Sequence, residues 1–266
     1  MSANSTATEY LNRLSQVISQ SSATRNGCFD PNQRSTLKSL LYDSWKTATD
    51  QLCKDTALSE VWFERLWQMH TDDARHYHTV VHLDEMIHFF QLLRDEGYPT
   101  SMSLDRARTI LLAIFFHDAI YNVKSASNEE DSAILFEEFA FAADFSETHV
   151  ELAANVTKYI RATQKHEVSD SNYIDLALFL DLDMAVLGKN EEAYKSYSAL
   201  IRREYNFVPR DVYCEKRAEI LQLFLQQTHI YGTPVFRDAF ESQARSNLRK
   251  EINALRQGII FGETTG

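Results

Sequence analysis

The chain has 266 residues and a formal charge of −11, with only 7 Gly and 4 Pro. So acidic a protein is a poor partner for polymeric nucleic acid, which favours a basic groove. So few turn-forming residues argue against a β-sandwich or a doubly wound fold and for long helices. The three cysteines, Cys28, Cys53 and Cys214, are far apart and odd in number, so they form neither a zinc knuckle nor a disulfide framework. They point to a reducing compartment, with the cytoplasm as the default. No apolar run reaches membrane-spanning length, the segment Met1 to Thr8 has no apolar signal core, and no Gly-rich phosphate loop is present.

In chain order, residues 1–30 are rich in Ser, Thr and Asn and read as a partly flexible tail. Leu11, Leu14, Val17 and Ile18 keep helical spacing inside it. Asp30-Pro31 reads as a cap with Pro at the first helical position. Leu37, Leu40, Leu41, Trp45 and Leu52 form the apolar stripe of the next helix, and Val61, Trp62, Leu66 and Trp67 that of another. Asp72 to Val80 is a loop, and a helix runs from His82 to Gly97-Tyr98-Pro99. Ser103 caps the helix that contains Ile110 to Phe116 and ends at His117-Asp118. Ser127 and Glu130 have capping-box spacing for the next helix. Further helices are expected over 147–163, 172–186, 191–206, 210–228 and 234–257. Alternating strand patterns are absent, so the expectation is an all-α, single domain over 31–266. Its core spans about 70–190, followed by C-terminal helices over 191–257.

Three groups carry chemistry. His117-Asp118 ends an apolar run, where burying an unpaired carboxylate would be costly. By itself the pair reads as a structural, hydrogen-bonded His–Asp. His76, His78 and His82 fall within seven residues upstream, and Asp181 and Asp183 end another apolar run downstream. Asp183 is followed by Met184 to Leu187, a poor place for an unpaired charge and a good one for a ligand. No convincing Ser-His or Cys-His pair supplies a covalent nucleophile. Phe115, Phe116, Phe136, Phe139 and Phe141 read as core rather than as a base-stacking platform. Arg202 with Glu204 reads as an exposed helix pair, the commoner case.

The strings Tyr77-His-Thr-Val-Val-His82, Phe116-His-Asp-Ala-Ile-Tyr121 and Asn128-Glu-Glu-Asp-Ser-Ala133 lie in that order. After them come Thr163-Gln-Lys-His166, Asp181-Leu-Asp-Met-Ala-Val-Leu-Gly188 and Ile201-Arg-Arg-Glu-Tyr205. Together they resemble the HD superfamily of metal-dependent phosphohydrolases, over roughly residues 35–257. The resemblance implies a helical HD-domain fold with added N- and C-terminal helices. It implies His82, His117, Asp118 and Asp183 as ligands of a divalent ion, one of Mn, Fe, Co, Ni or Mg, with Asp181 as the alternative to Asp183. It implies hydrolysis of a small phosphate ester or nucleotide by an activated water.

Glu129, Asp118 and Glu130 are then the catalytic candidates, and His78, Lys165, His166 and Arg202 the candidates for holding substrate, with Arg161 a further source of positive charge. Two other readings stay open. A two-iron oxygenase would need His149 and His166 as extra ligands, and a non-catalytic regulatory module would bind metal or nucleotide without turnover. No membrane partner is expected, and a homodimer is compatible with the sequence.

Overall fold

The computed structural model describes residues 3–22, 33–100, 102–145, 149–166 and 174–263. It is all-α, and no strand occurs among the described residues. The chain divides into two compact units, one of residues 29–180 and one that joins 1–28 to 181–266.

The 29–180 unit contains α2 (Arg34–Thr49), α3 (Thr56–His70), α4 (Val80–Asp95), α5 (Leu104–Phe116), α6 (Asn128–Ala142) and α7 (Val150–Ala162), with the first turns of α8 (Ile174–Met184). Helix α5 is its axis and packs against α2, α4, α6 and α7. Every residue from Ala107 to Phe116 is buried. The sequence predicts this, because Ile110 to Phe116 has no polar stripe to offer water.

Around α5 lies a layer of aromatic rings. Trp45 meets Phe115 edge-on at 5.3 Å between ring centroids, and Phe116 stacks on Phe139 at 5.6 Å. Such geometries add to simple area burial. The Trp45 indole N–H donates to Ser59 Oγ at 2.9 Å, so this deep ring leaves no unsatisfied donor. Phe141, expected in the core, is instead 80% exposed, because α6 carries apolar residues on more than one face.

Local signals explain the helix ends. Ser103 accepts from the Arg106 N–H and starts α5, as expected. Gly97, at φ 76°, ends α4 with bonds from Gly97 N to Arg94 O and from Tyr98 N to Leu93 O, a Schellman closure. The capping box at α6 does not form. Ser127 makes no side-chain cap, and its hydroxyl donates to Asp131 at 2.7 Å. The Asp30-Pro31 cap lies outside the described residues.

In the other unit, α1 (Ala3–Ser22) carries the helical spacing read at Leu11, Leu14, Val17 and Ile18 over a longer run than the short helix expected, with Leu14 and Ile18 buried. It packs on the helical turn Pro234–Phe236 and the π turn Arg237–Glu241. These lead into α11 (Ser242–Arg256), which packs on α10 (Arg210–Gln226) and on the 3-10 turn Ala185–Gly188; that turn also meets α9 (Glu191–Glu204). A Cβ at Gly188 would sit 2.2 Å from Phe240 Cβ, so only glycine fits there.

Glu251, buried on α11, accepts from Tyr194 Oη, Ser198 Oγ at 2.9 Å and Arg217 Nε at 3.1 Å. Removing one partner of a buried pair strands the other. Glu251→Ala is therefore expected to cost about 3–5 kcal/mol of stability, read by chemical denaturation. A smaller loss is expected from Glu251→Leu combined with Arg217→Met, and equal losses in the two variants would contradict the pairing.

Candidate metal centre

Residues of α4 and of the α5 exit converge within the 29–180 unit. His82 stands in the first turn of α4, whose N-cap Thr79 accepts from the Val81 N–H. His117 is the C-cap of α5, still helical at φ −57° and ψ −39°. The chain then turns, with Ala119 N donating to Phe116 O, and the turn brings Asp118 beside His117. Adjacent residues within a helix point about 100° apart, and this exit turn is what lets the two side chains meet.

One ligand atom each from His82, His117 and Asp118 lies within 4.8 Å of the others, the one such group of metal-capable side chains among the described residues. His82 and His117 are buried and Asp118 is half-buried. His117 Nδ1 lies 2.9 Å from the Ile114 carbonyl oxygen. A carbonyl only accepts, so Nδ1 carries the proton and Nε2 of the neutral ring presents its lone pair. That Nε2 faces Asp118 Oδ2 at 3.1 Å. Two acceptors in contact require a proton or a cation between them. His82 Nδ1 lies 3.3 Å from the Tyr77 hydroxyl, which can either accept its proton or donate to it. Second partners of this kind fix the tautomer and ring orientation of metal-binding histidines. His117 also rests edge-on against Phe179 at 5.9 Å. The donor chemistry fits a divalent ion. Two imidazole nitrogens and one carboxylate suit Mn, Fe, Co, Ni or Mg, and leave coordination positions open.

The loop after Asp118 is held by side chains of α6. Ser132 Oγ accepts from Ile120 N at 3.0 Å and donates back to Ile120 O at 3.3 Å. Asn128 does the same for Asn122, accepting at Oδ1 and donating from Nδ2. Glu129, in the same first turn of α6, is half-buried. Glu130 is exposed and held by both arms of the Arg161 guanidinium at 2.7 and 2.8 Å. That cation keeps the Glu130 carboxyl below the usual carboxylate range.

The other candidates are spread more widely. His78 is half-buried, and its ring lies 4.4 Å from that of Tyr121. Lys165 is exposed at the end of α7, and His166 beside it is held at φ 51°. His149 is the N-cap residue of α7, 6.2 Å from the ring of Phe145. Neither His149 nor His166 belongs to a metal-capable group among the described residues.

Asp183 and Arg202 belong to the other compact unit and are described with it. Arg202 does not form the expected exposed pair with Glu204, which is buried. It pairs with Glu263 at 2.8 Å and donates to the carbonyls of Tyr205 and Val208, capping the end of α9. Asp183 stands half-buried in the last turn of α8. Asp181 accepts from Gly232 N, Thr233 N and Thr233 Oγ1 at 2.5–2.7 Å. Burial pushes its carboxyl up to about 7 against those donors. Its oxygens anchor the 232–233 segment, so of the two aspartates Asp181 is structural.

Sequence reasoning missed Arg75 and Tyr77. Tyr77 orients His82, and Arg75 donates to the Asp118 and Ala119 carbonyls at 2.6 and 2.8 Å. The trace in the sequence is an arginine just before the histidine run and a tyrosine inside it, at the head of the Tyr77–His82 string.

Comparison with protein-family models, with curated proteins and with solved structures finds no match. No helix among the described residues is long and apolar enough to cross a membrane.

Ser132→Ala would leave both backbone groups of Ile120 without their partner, at a cost of about 1–3 kcal/mol. Faster amide exchange over residues 119–123 with helix content retained is the expected result, and unchanged exchange there would show that the clip does not hold the loop.

Proposed function

We propose that this protein is a divalent-metal-dependent phosphohydrolase acting on a small phosphate ester or nucleotide. The observation that carries the reading is the trio of two buried histidines, His82 and His117, and half-buried Asp118, with both Nδ1 atoms engaged elsewhere and an imidazole lone pair set against a carboxylate. The resemblance of the surrounding motifs to the HD superfamily supports the reaction class. A bound divalent ion would supply Lewis acidity toward a phosphoryl oxygen and an acidified water.

The chain's own residues do the rest. His82 and His117 would hold the ion through ring nitrogens, and Asp118 through its carboxylate. The Ile114 carbonyl keeps the His117 ring in the binding tautomer, and Tyr77 holds the orientation of the His82 ring. Glu130 is committed to Arg161, so of the two adjacent carboxylates Glu129 is the one to take a proton from the attacking water. His78, Lys165 and His166 are the candidate groups for a substrate phosphate. Arg202, committed to Glu263 and two carbonyls, leaves that role.

The two-iron oxygenase reading needs a second cluster built on His149 and His166, and the donor trio does not supply it. The ion is one of Mn, Fe, Co, Ni or Mg.

Elemental analysis of purified protein is expected to give about one ion per chain, lost in His117→Ala and in Asp118→Ala with helix content unchanged. Full occupancy in either variant would remove the ligand assignment. Glu129→Gln is expected to keep the ion and to lose turnover by about 10²–10⁴-fold on a panel of phosphorylated metabolites with Mn²⁺ or Co²⁺. No turnover by the wild-type protein across that panel would favour a regulatory module instead.

A further inference from the structure

We propose that Arg75 is the positioning residue of the donor trio, and that its guanidinium, by fixing the turn that carries Asp118, sets the metal affinity of the protein. The proposal rests on the metal-centre reading above.

Arg75 lies in the loop between α3 and α4 and is 8% exposed. Its Nη1 donates to Asp118 O at 2.6 Å and to His78 O at 3.1 Å, and its Nη2 donates to Ala119 O at 2.8 Å. Its Cζ lies 5.3 Å from the centre of the Tyr121 ring. One planar group therefore ties the segment leading into α4, which presents His82, to the exit of α5, which presents His117 and Asp118. The carbonyls past a helix end have no ladder partner, and a cation there also suits the negative end of the helix dipole.

His70 steadies the fork from behind. Its Nδ1 is 3.4 Å from Arg75 Nη1, and its Nε2 is 3.2 Å from Phe115 O. Burial and the Arg75 charge hold this imidazole well below its ordinary range. The neutral ring then donates from Nε2 to Phe115 O and accepts at Nδ1 from Arg75. Phe115 is part of the α5 core, so the chain of contacts runs from the core to the Asp118 turn.

Arginine is required by geometry. Its rigid fork reaches carbonyls on two segments in one plane, and a lysine ammonium on a flexible stem does not reproduce that. The bond from Arg75 to Asp118 ends on the backbone carbonyl. Through that carbonyl it sets where the carboxylate stands, and an error of about 1 Å is enough to spoil a constellation.

The test is Co²⁺ titration of the full chain by visible absorption, with thermal melting and far-UV circular dichroism as checks of folding. Arg75→Met is expected to bind Co²⁺ about 10–100-fold more weakly, the usual cost of losing an outer partner, with an altered cobalt band and retained helix content. Arg75→Lys, which keeps the buried charge, is expected to recover only part of the affinity. Wild-type affinity and spectrum in Arg75→Met would overturn the proposal and leave the metal centre standing. If Arg75→Met does not fold, wild-type affinity in Arg75→Lys overturns it. A wild-type protein that takes up no Co²⁺ would overturn the metal-centre reading, and this proposal with it.

Discussion

Helix α5 is buried on every side, and the chemistry of the donor trio depends on that. Its residues from Ala107 to Phe116 are buried by four neighbouring helices. A helix so placed delivers the residues at its exit into a dry environment. Those residues are an imidazole and a carboxylate, and His117 is 1% exposed. A polar group there must find a partner or lose several kcal/mol. The Ile114 carbonyl takes the proton of His117 Nδ1 and thereby turns a lone pair toward Asp118. The arrangement is unfavourable until a positive charge enters it. A proton shared by the pair meets that need, and a cation would meet it equally, with His82 close enough that the three side chains form a group that could hold a metal ion.

The loops around the trio are held without much Gly or Pro. Side chains replace the bonds a regular ladder would supply. Ser132 clips Ile120, Asn128 clips Asn122, and Arg75 spans His78, Asp118 and Ala119. Each is a polar group satisfying backbone next to a buried segment, which the interior demands. The motif residues around the His–Asp pair are explained by this holding role as much as by chemistry. Asn128 and Ser132 secure the loop, and Glu130 joins α6 to α7 through Arg161.

Much of the fold was legible because its signals are local. Helical spacing, the Ser103 cap and the Gly97 closure lie within a few residues of what they determine. The trio was legible as residue types in order. The illegible parts depend on distant backbone. The role of Arg75 is written in carbonyls 43 and 44 residues away, and a carbonyl carries no residue identity. Asp181 and Asp183 are alike in sequence, and only the donors at Gly232 and Thr233 mark Asp181 as an anchor. The burial of Leu14 and Ile18 depends on a turn at the far end of the chain, so their helical spacing was legible while what covers them was not. Phe141 misled because its helix has apolar residues on several faces, and periodicity cannot choose among them.

X-ray absorption at the cobalt edge of the Co²⁺-loaded protein tests the central claim most directly. A first shell of imidazole nitrogen and oxygen, with the outer-ring scattering of about two histidines per ion, is the predicted result. A shell without imidazole scattering, or one containing sulfur, would place the ion elsewhere and contradict the account.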